Sequence, residues 1–220
     1  MTVKTEPFSS FRMAENQAQR PPDWCVGKRQ QILDGARKAF QELGYERASV
    51  DVIASRTGVS KATLYNHFHD KSALFVACFE QGSNQMQADL EALFAETSDD
   101  LETALQAAGE RMLAKFLSRE AVALYRSALD GFRLPEIGKM LYERGPRVTH
   151  ELIAAALSRW AARGLLRVDD PYYAAVQFVN LCHGDVMMRL HLGVLQEASP
   201  EDVRATVRRA VQTFLRAFRP

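Results

Sequence analysis

SVDVIASRTGVSKATLYNHFHDK, residues 49–71, reads as two short helices joined by a tight turn. Ser49 can cap the first helix, whose apolar side chains are Val52, Ile53 and, at its start, Val50. Gly58 permits the sharp turn. Ser60 can cap the second helix, which runs from Lys61 to about Phe68. Leu64 and Phe68, four residues apart, anchor that helix to the preceding ones. Lys61, Ala62, Thr63, Tyr65, Asn66 and His67 are left for its opposite face and flanks.

A short helix, apolar on one side and polar on the other, is the shape needed to enter the major groove of duplex DNA. Its N-terminus, with Ser60 and Lys61, suits phosphate or base edges. Thr63 and Asn66 can bond base edges, Ala62 can meet a thymine methyl, and Tyr65 and Lys71 can reach phosphate. Pattern alone leaves open a helical hairpin that is merely polar.

Charge distribution favours the DNA reading. The chain of 220 residues has a formal net charge of only +1, but residues 1–71 carry 11 Lys/Arg against 8 Asp/Glu, and residues 72–220 carry 17 against 19. Upstream, Ile32, Leu33, Ala36, Phe40 and Leu43 follow one helix face from Lys28, with Gly44 as its expected left-handed cap. Residues 1–26 are polar and aperiodic. They are expected to form a flexible arm, whose Lys4, Arg12 and Arg20 can touch phosphate.

The segment resembles the DNA-binding domain of TetR-family transcriptional regulators. The matching residues are Phe40 and Gly44, Ser49, Ile53-Ala54, Gly58-Val59-Ser60, Thr63-Leu64-Tyr65, His67-Phe68 and Lys71. Ser49 stands where Thr is commoner and Thr57 where Ala is usual. The resemblance implies a homodimer that usually represses, with a ligand in the C-terminal domain changing the spacing of two readers on a palindromic double-stranded DNA operator. Operator preference would then lie at Lys61, Ala62 and Asn66.

Everything after Lys71 reads as helix, over about 71–95, 100–117, 119–130, 136–144, 146–163, 171–193 and 200–218. Asp70 caps the first of these. Pro146, Pro171 and Pro200 sit at first helical positions, and Asp170 and Ser199 precede the last two helices as caps. No alternating run suggests a strand. The fold expected is therefore all-α: a three-helix helix-turn-helix domain over residues 27–71, then a larger helical effector-binding and dimerisation domain over 72–220.

That larger part resembles the C-terminal domain of AefR-like regulators. The resembling pieces are Tyr125-Arg126, Leu134 to Gly138, Leu141 to Pro146, Asp169-Asp170-Pro171, Gln177-Phe178 and Gly184-Asp185, followed by Arg189 and Gly193. No ligand identity comes with this resemblance. Helix 171–193 is apolar on more than one side, which a surface helix does not tolerate. Burying one face in its own domain and another against a twin accounts for it. The interface expected is Val179, Val186, Leu190, Val203, Val207, Val211, Phe214 and Phe218. Effector-contact candidates are Met86, Met112, Phe116, Tyr125, Phe132, Trp160, Phe178 and His183, each also readable as ordinary core packing. Adaptable Met side chains and few internal charges favour a small apolar or aromatic effector.

Other classes of function find little support. There is no nucleophile–base arrangement, no phosphate loop after a strand and no HExxH, so no enzyme and no cofactor are expected. His183, Met187 and His191 recur every four residues beside Cys182, which reads as a soft-metal stripe or, preferably, as packing; no metal is expected. Cys25, Cys78 and Cys182 show no pairing pattern. With no apolar leader and no apolar run of about 18 residues, they read as reduced thiols of a cytoplasmic protein without membrane association. A thiol- or metal-sensing regulator of the same fold, or an architectural DNA-binding protein without effector, are the alternatives.

Overall fold

The computed structural model describes residues 23–96, 100–130 and 135–220, all helix and short connections, with no strand among the described residues. The elements are α1 (Asp23–Arg47), α2 (Val50–Thr57), α3 (Lys61–His67), α4 (Lys71–Glu96), α5 (Leu101–Phe116), α6 (Arg119–Asp130), α7 (Pro135–Arg144), α8 (Pro146–Ala162), α9 (Pro171–His191) and α10 (Pro200–Phe218). Helix α1 already starts at Asp23, inside the stretch expected to be an arm, and only residues 1–22, with Lys4, Arg12 and Arg20, lie outside the described residues. At Gly44 the backbone turns to φ 78°, ψ 165°, so the residue interrupts α1 instead of capping it, and one more turn follows through Arg47.

Local chemistry explains the helix starts. Asp70 accepts from the Ala73 amide (2.7 Å) and the Ser72 hydroxyl (2.5 Å), and these bonds hold its carboxyl down at about 2. Asp100 and Asp170 accept in the same way from Thr103 and Tyr173. Ser199 and Asp202 bond each other's backbone amides, a reciprocal cap on α10.

The apolar side chains form two cores. One joins α4 beyond Met86 to α5, α8, α9 and α10, centred on Leu105, Met112, Leu157, Phe178 and Phe214. The other holds the N-terminal helices, with Phe40, Tyr45 and Phe75 in mutual ring contact at 4.9–6.0 Å. This second core also takes Leu124 from α6 and Ile137 and Leu141 from α7. The helices are thus divided between the two cores, and α4 and α6 contribute to both, α6 through Val122 on one side and Leu124 on the other.

The stripe expected at a subunit interface is placed differently. Val179, Val186, Leu190, Val203, Val207, Val211 and Phe214 are buried inside the single chain, and Phe218 is half-buried against Phe214 at 4.5 Å. The physical reason is that α10 closes the core over α5 and α9, where Phe214 meets Phe178 at 5.3 Å. The apolar side chains that α9 leaves exposed are Tyr173, Leu181, Met188 and, at its end, Leu192.

Candidate nucleic-acid interface and effector cage

The reader is built by two caps and one glycine. Ser49 accepts from the Val52 amide (3.3 Å) and Ser60 from the Thr63 amide (3.0 Å). Between them Gly58 adopts φ 66°, ψ 25°, the left-handed conformation that costs a side-chain-bearing residue about 1 kcal/mol. Leu64 and Phe68 are buried and fix α3 on the core. Ala62, Tyr65 and Asn66 are exposed and Thr63 and His67 half-buried, so the side chains expected to face DNA do lie outside the core.

Three of these polar groups are already engaged. Thr63 shares a hydrogen bond with the Ser60 hydroxyl (2.8 Å). Lys61 pairs with Asp51, tying α3 to α2; both side chains are more than half exposed, so this pair is weak and can be exchanged for phosphate. Lys71, assigned above to phosphate, donates to the carbonyls of Tyr45 (2.8 Å) and Glu46 (3.3 Å) and sits 4.2 Å from the Tyr45 ring centre. Burial pushes its pKa down, against a smaller upward pull from Glu46. Lys71 therefore fastens the end of α1 to the start of α4. A basic group that motif reading missed is Arg29, whose guanidinium lies 5.2 Å from the Phe68 ring centre, beside the reading helix.

Thr57, unusual for its position, is explained by its neighbour. A Cβ on Gly35 would overlap the Thr57 methyl, and the Thr57 hydroxyl donates to the Ile53 carbonyl at 2.8 Å. The bulk lost on α1 is regained on α2.

In the larger domain the effector candidates separate. Met86, Met112 and Phe178 are core side chains. Trp160 is buried against Phe94 (5.8 Å) and borders a crevice of about 430 Å³ between α4 and α8, with Leu152 and Arg159. A second crevice, of about 440 Å³, lies between the start of α9 and the end of α10. Phe132 lies outside the described residues. Phe116, Tyr125 and His183 meet on one face of α9.

That face carries Tyr172, Val176, His183, Met187 and His191, all half-buried. Helices α5 to α8 each bring a ring to it. Phe116 is edge-on to His183 at 5.4 Å, and Tyr125 stacks on His191 at 5.1 Å. The Tyr142 and Tyr172 hydroxyls lie 3.3 Å apart, and His150 is edge-on to Tyr172 at 5.9 Å. Burial, with His150 and His191 nearby, pushes the His183 pKa down to about 4, and burial lowers His150 as well. Nδ1 of His150 and Nε2 of His183 are buried without a hydrogen-bond partner. His150 carried no sequence signal; it is one polar residue in an otherwise ordinary helix. Immediately after His183, Gly184 breaks α9 with φ 51°, ψ −161°, a conformation that only glycine adopts readily.

Arg126 holds the end of this face. Its guanidinium donates to the carbonyls of Leu190 and His191, both at 2.9 Å, and so caps α9 although the residue remains exposed. The thiols of Cys78 and Cys182 are buried, and burial raises both to about 12, so neither is a thiolate at neutral pH. Among the described residues no three His, Cys, Asp or Glu side chains come together as metal ligands, and no helix is long and apolar enough to cross a membrane.

Two family models match: bacterial regulatory proteins of the TetR family over residues 32–78, and the C-terminal domain of AefR-like transcriptional repressors over residues 103–220, more than half of the chain. The chain belongs to the TetR family of transcriptional regulators. It is similar to the transcriptional repressor AcnR of Corynebacterium efficiens, 28% identical over 179 residues, which covers 81% of this chain and 90% of that one. Among solved structures, a TetR-family regulator from Mesorhizobium loti superposes with a TM-score of 0.80 at 26% identity, covering 89% of this chain and 98% of the other. The flavonoid-responsive regulator FrrA superposes with a TM-score of 0.72 at 31% identity and the same coverage. This TetR-family chain is thus a DNA-binding regulator and not an enzyme.

Proposed function

We propose that this TetR-family protein is a homodimeric, sequence-specific repressor that a small apolar or aromatic effector releases from a palindromic operator in the cytoplasm. The observation that carries the effector half is the half-buried face of α9, bordered by aromatic side chains from four helices. FrrA, named as flavonoid-responsive, supports an aromatic ligand class, and AcnR, named as a repressor, supports the sign of regulation. The Tyr173–Leu181–Met188 face of α9 is the apolar surface available to a second copy.

On the protein side, Ser60, Lys61, Ala62, Thr63, Tyr65, Asn66 and His67 present the reading surface, with Ser49 capping the supporting helix. Coupling runs through α6, which packs on α1 with one part of its surface and caps α9 with Arg126. A ligand that displaces α9 moves what α6 rests on, and α6 moves α1. To drive release, the ligand must favour the DNA-incompetent spacing by differential affinity, typically on the order of 1–3 kcal/mol. Footprinting on DNA flanking the gene, with and without aromatic compounds, tests this reading. A protected palindrome lost on adding a compound is expected; length-dependent, sequence-blind binding would refute it.

A further inference from the structure

The half-buried face of α9 carries an unusual polar feature. Two imidazoles, His150 from α8 and His183 from α9, end in buried ring nitrogens with no partner. His150 is only 8% exposed, so solvent does not supply the missing bond freely. A buried polar group without a partner costs about 1–3 kcal/mol, and a fold retains two of them on one interior face when something else satisfies them. Both rings lie against aromatic edges, His183 against Phe116 and His150 against Tyr172, which makes the surroundings of the two nitrogens compatible with a flat ring.

Charge narrows the ligand further. The ionic groups that reach this face are committed elsewhere. Arg126 is bound to two backbone carbonyls near His191, and Arg147 is paired with Glu151 at 2.9 Å near Tyr172. Among the described residues, the two cations placed beside this face, Arg126 and Arg147, therefore already have acceptors. Neutral imidazole instead offers one donor and one acceptor, the complement of a hydroxyl group. The low pKa of His183 keeps it in that neutral form at physiological pH.

We propose that the half-buried face of α9 binds a neutral, hydroxylated aromatic compound whose hydroxyl groups hydrogen-bond to Nδ1 of His150 and Nε2 of His183. This rests on the effector reading above and specifies its chemistry. The break at Gly184 lies one residue beyond His183, so a ligand drawn to His183 acts where α9 is already interrupted, and Arg126 holds the segment that follows.

The test uses the full-length protein and two scaffolds: naphthalene with 2-naphthol, 2-naphthoate and 2-naphthylamine, and flavone with its 7-hydroxy, 4′,7-dihydroxy and carboxylate forms. Affinity is read by calorimetry and by thermal shift. A hydroxylated member is expected to bind about tenfold or more tightly than its unsubstituted parent, the factor that one well-made hydrogen bond supplies. His150→Leu and His183→Leu should bring the two affinities together, while His150→Asn and His183→Gln, which keep a polar atom near the original nitrogen, should recover part of the preference. Equal affinities in the wild type, preference for the carboxylate or amine, or a hydroxyl preference that survives both Leu variants would each overturn the assignment and leave the effector reading standing. If no member of either series binds, the effector reading falls with it. If the Leu variants dissociate the dimer, the face is an interface between subunits and the assignment fails.

Discussion

Lys71→Met separates two roles for one cation. A phosphate contact and a structural fastener both weaken DNA binding when removed, but they do so through different quantities. The structure gives Lys71 two carbonyl acceptors, at 2.8 and 3.3 Å, and a ring 4.2 Å away. A hydrogen bond from a charged donor is worth roughly 1.5–3 kcal/mol and a partly exposed cation–ring contact about 0.5–1. Desolvation, the cause that dominates the lowered pKa, opposes these gains, and the longer bond contributes little. About 1 kcal/mol of net stabilisation remains, while methionine keeps the packing of the aliphatic stem. For a chain of this length that corresponds to a melting point lower by about 2–4 °C. Operator affinity should fall, because the end of α1 no longer braces α3 and α4. The slope of log K against log salt should stay unchanged, because no phosphate charge has been lost. Differential scanning calorimetry and fluorescence anisotropy over 50–200 mM salt measure both. A wild-type melting point with a slope shallower by about 0.9 would refute the fastener and restore the phosphate contact.

Lys61→Ala should show the opposite pattern: an unchanged melting point, since its exposed pair with Asp51 contributes little, and a salt slope shallower by about 0.9 on operator DNA. Gly35→Ala should destabilise by about 1–3 kcal/mol through overlap with the Thr57 methyl, and Thr57→Ala in the same chain should restore most of it in urea unfolding. His183 has a folded pKa of about 4 against an ordinary 6.5, so the unfolded chain takes up the proton first. Its contribution is complete above about pH 6.5 and declines as pH falls toward 4, a loss on the order of 2–3 kcal/mol by pH 4.5. Urea unfolding of wild type and His183→Gln at pH 7.5 and 4.5 should therefore show a smaller acid loss in the variant; equal losses would show that His183 is not held neutral by burial. In a Cys25→Ser chain peroxide should leave operator binding intact, as gel shift can show, because the thiols of Cys78 and Cys182 are buried and protonated.

What could be read from the residues depended on how local the cause was. Ser49, Gly58 and Ser60 act within three or four positions of themselves, and the structure puts them at the cap, turn and cap that their chemistry dictates. The same holds for Asp70, Asp170 and Ser199. The intrachain partners of Lys71 and Arg126 were not legible because they lie 26 and 64 residues away along the chain and are backbone carbonyls, which carry no side-chain signature. Gly35 gave no signal alone; its meaning depends on Thr57 across the α1–α2 contact. The stripe on α10 was correctly apolar, but periodicity cannot tell a core within one subunit from a seam between two, since both demand the same side chains.

Helix α9 shows how one apolar pattern divides among several tasks. Ala174, Ala175, Phe178, Cys182, Val186 and Leu190 are buried in the subunit's own core. Tyr173, Leu181 and Met188 remain exposed, and Tyr172, His183 and His191 stand half-buried between these two sides. A helix serving only a core would concentrate its apolar residues on one side and put charge on the rest. Here charge is confined to Asp185 and Arg189, paired with each other one turn apart past the Gly184 break. The interruption falls immediately after His183 of the half-buried face. Its position is also constrained from the far side, because a Cβ on Gly184 would approach the Thr206 methyl of α10 to 2.8 Å. The same glycine thus lets α10 close on α9 and lets α9 change direction beside His183, so any side chain placed there strains both relations together.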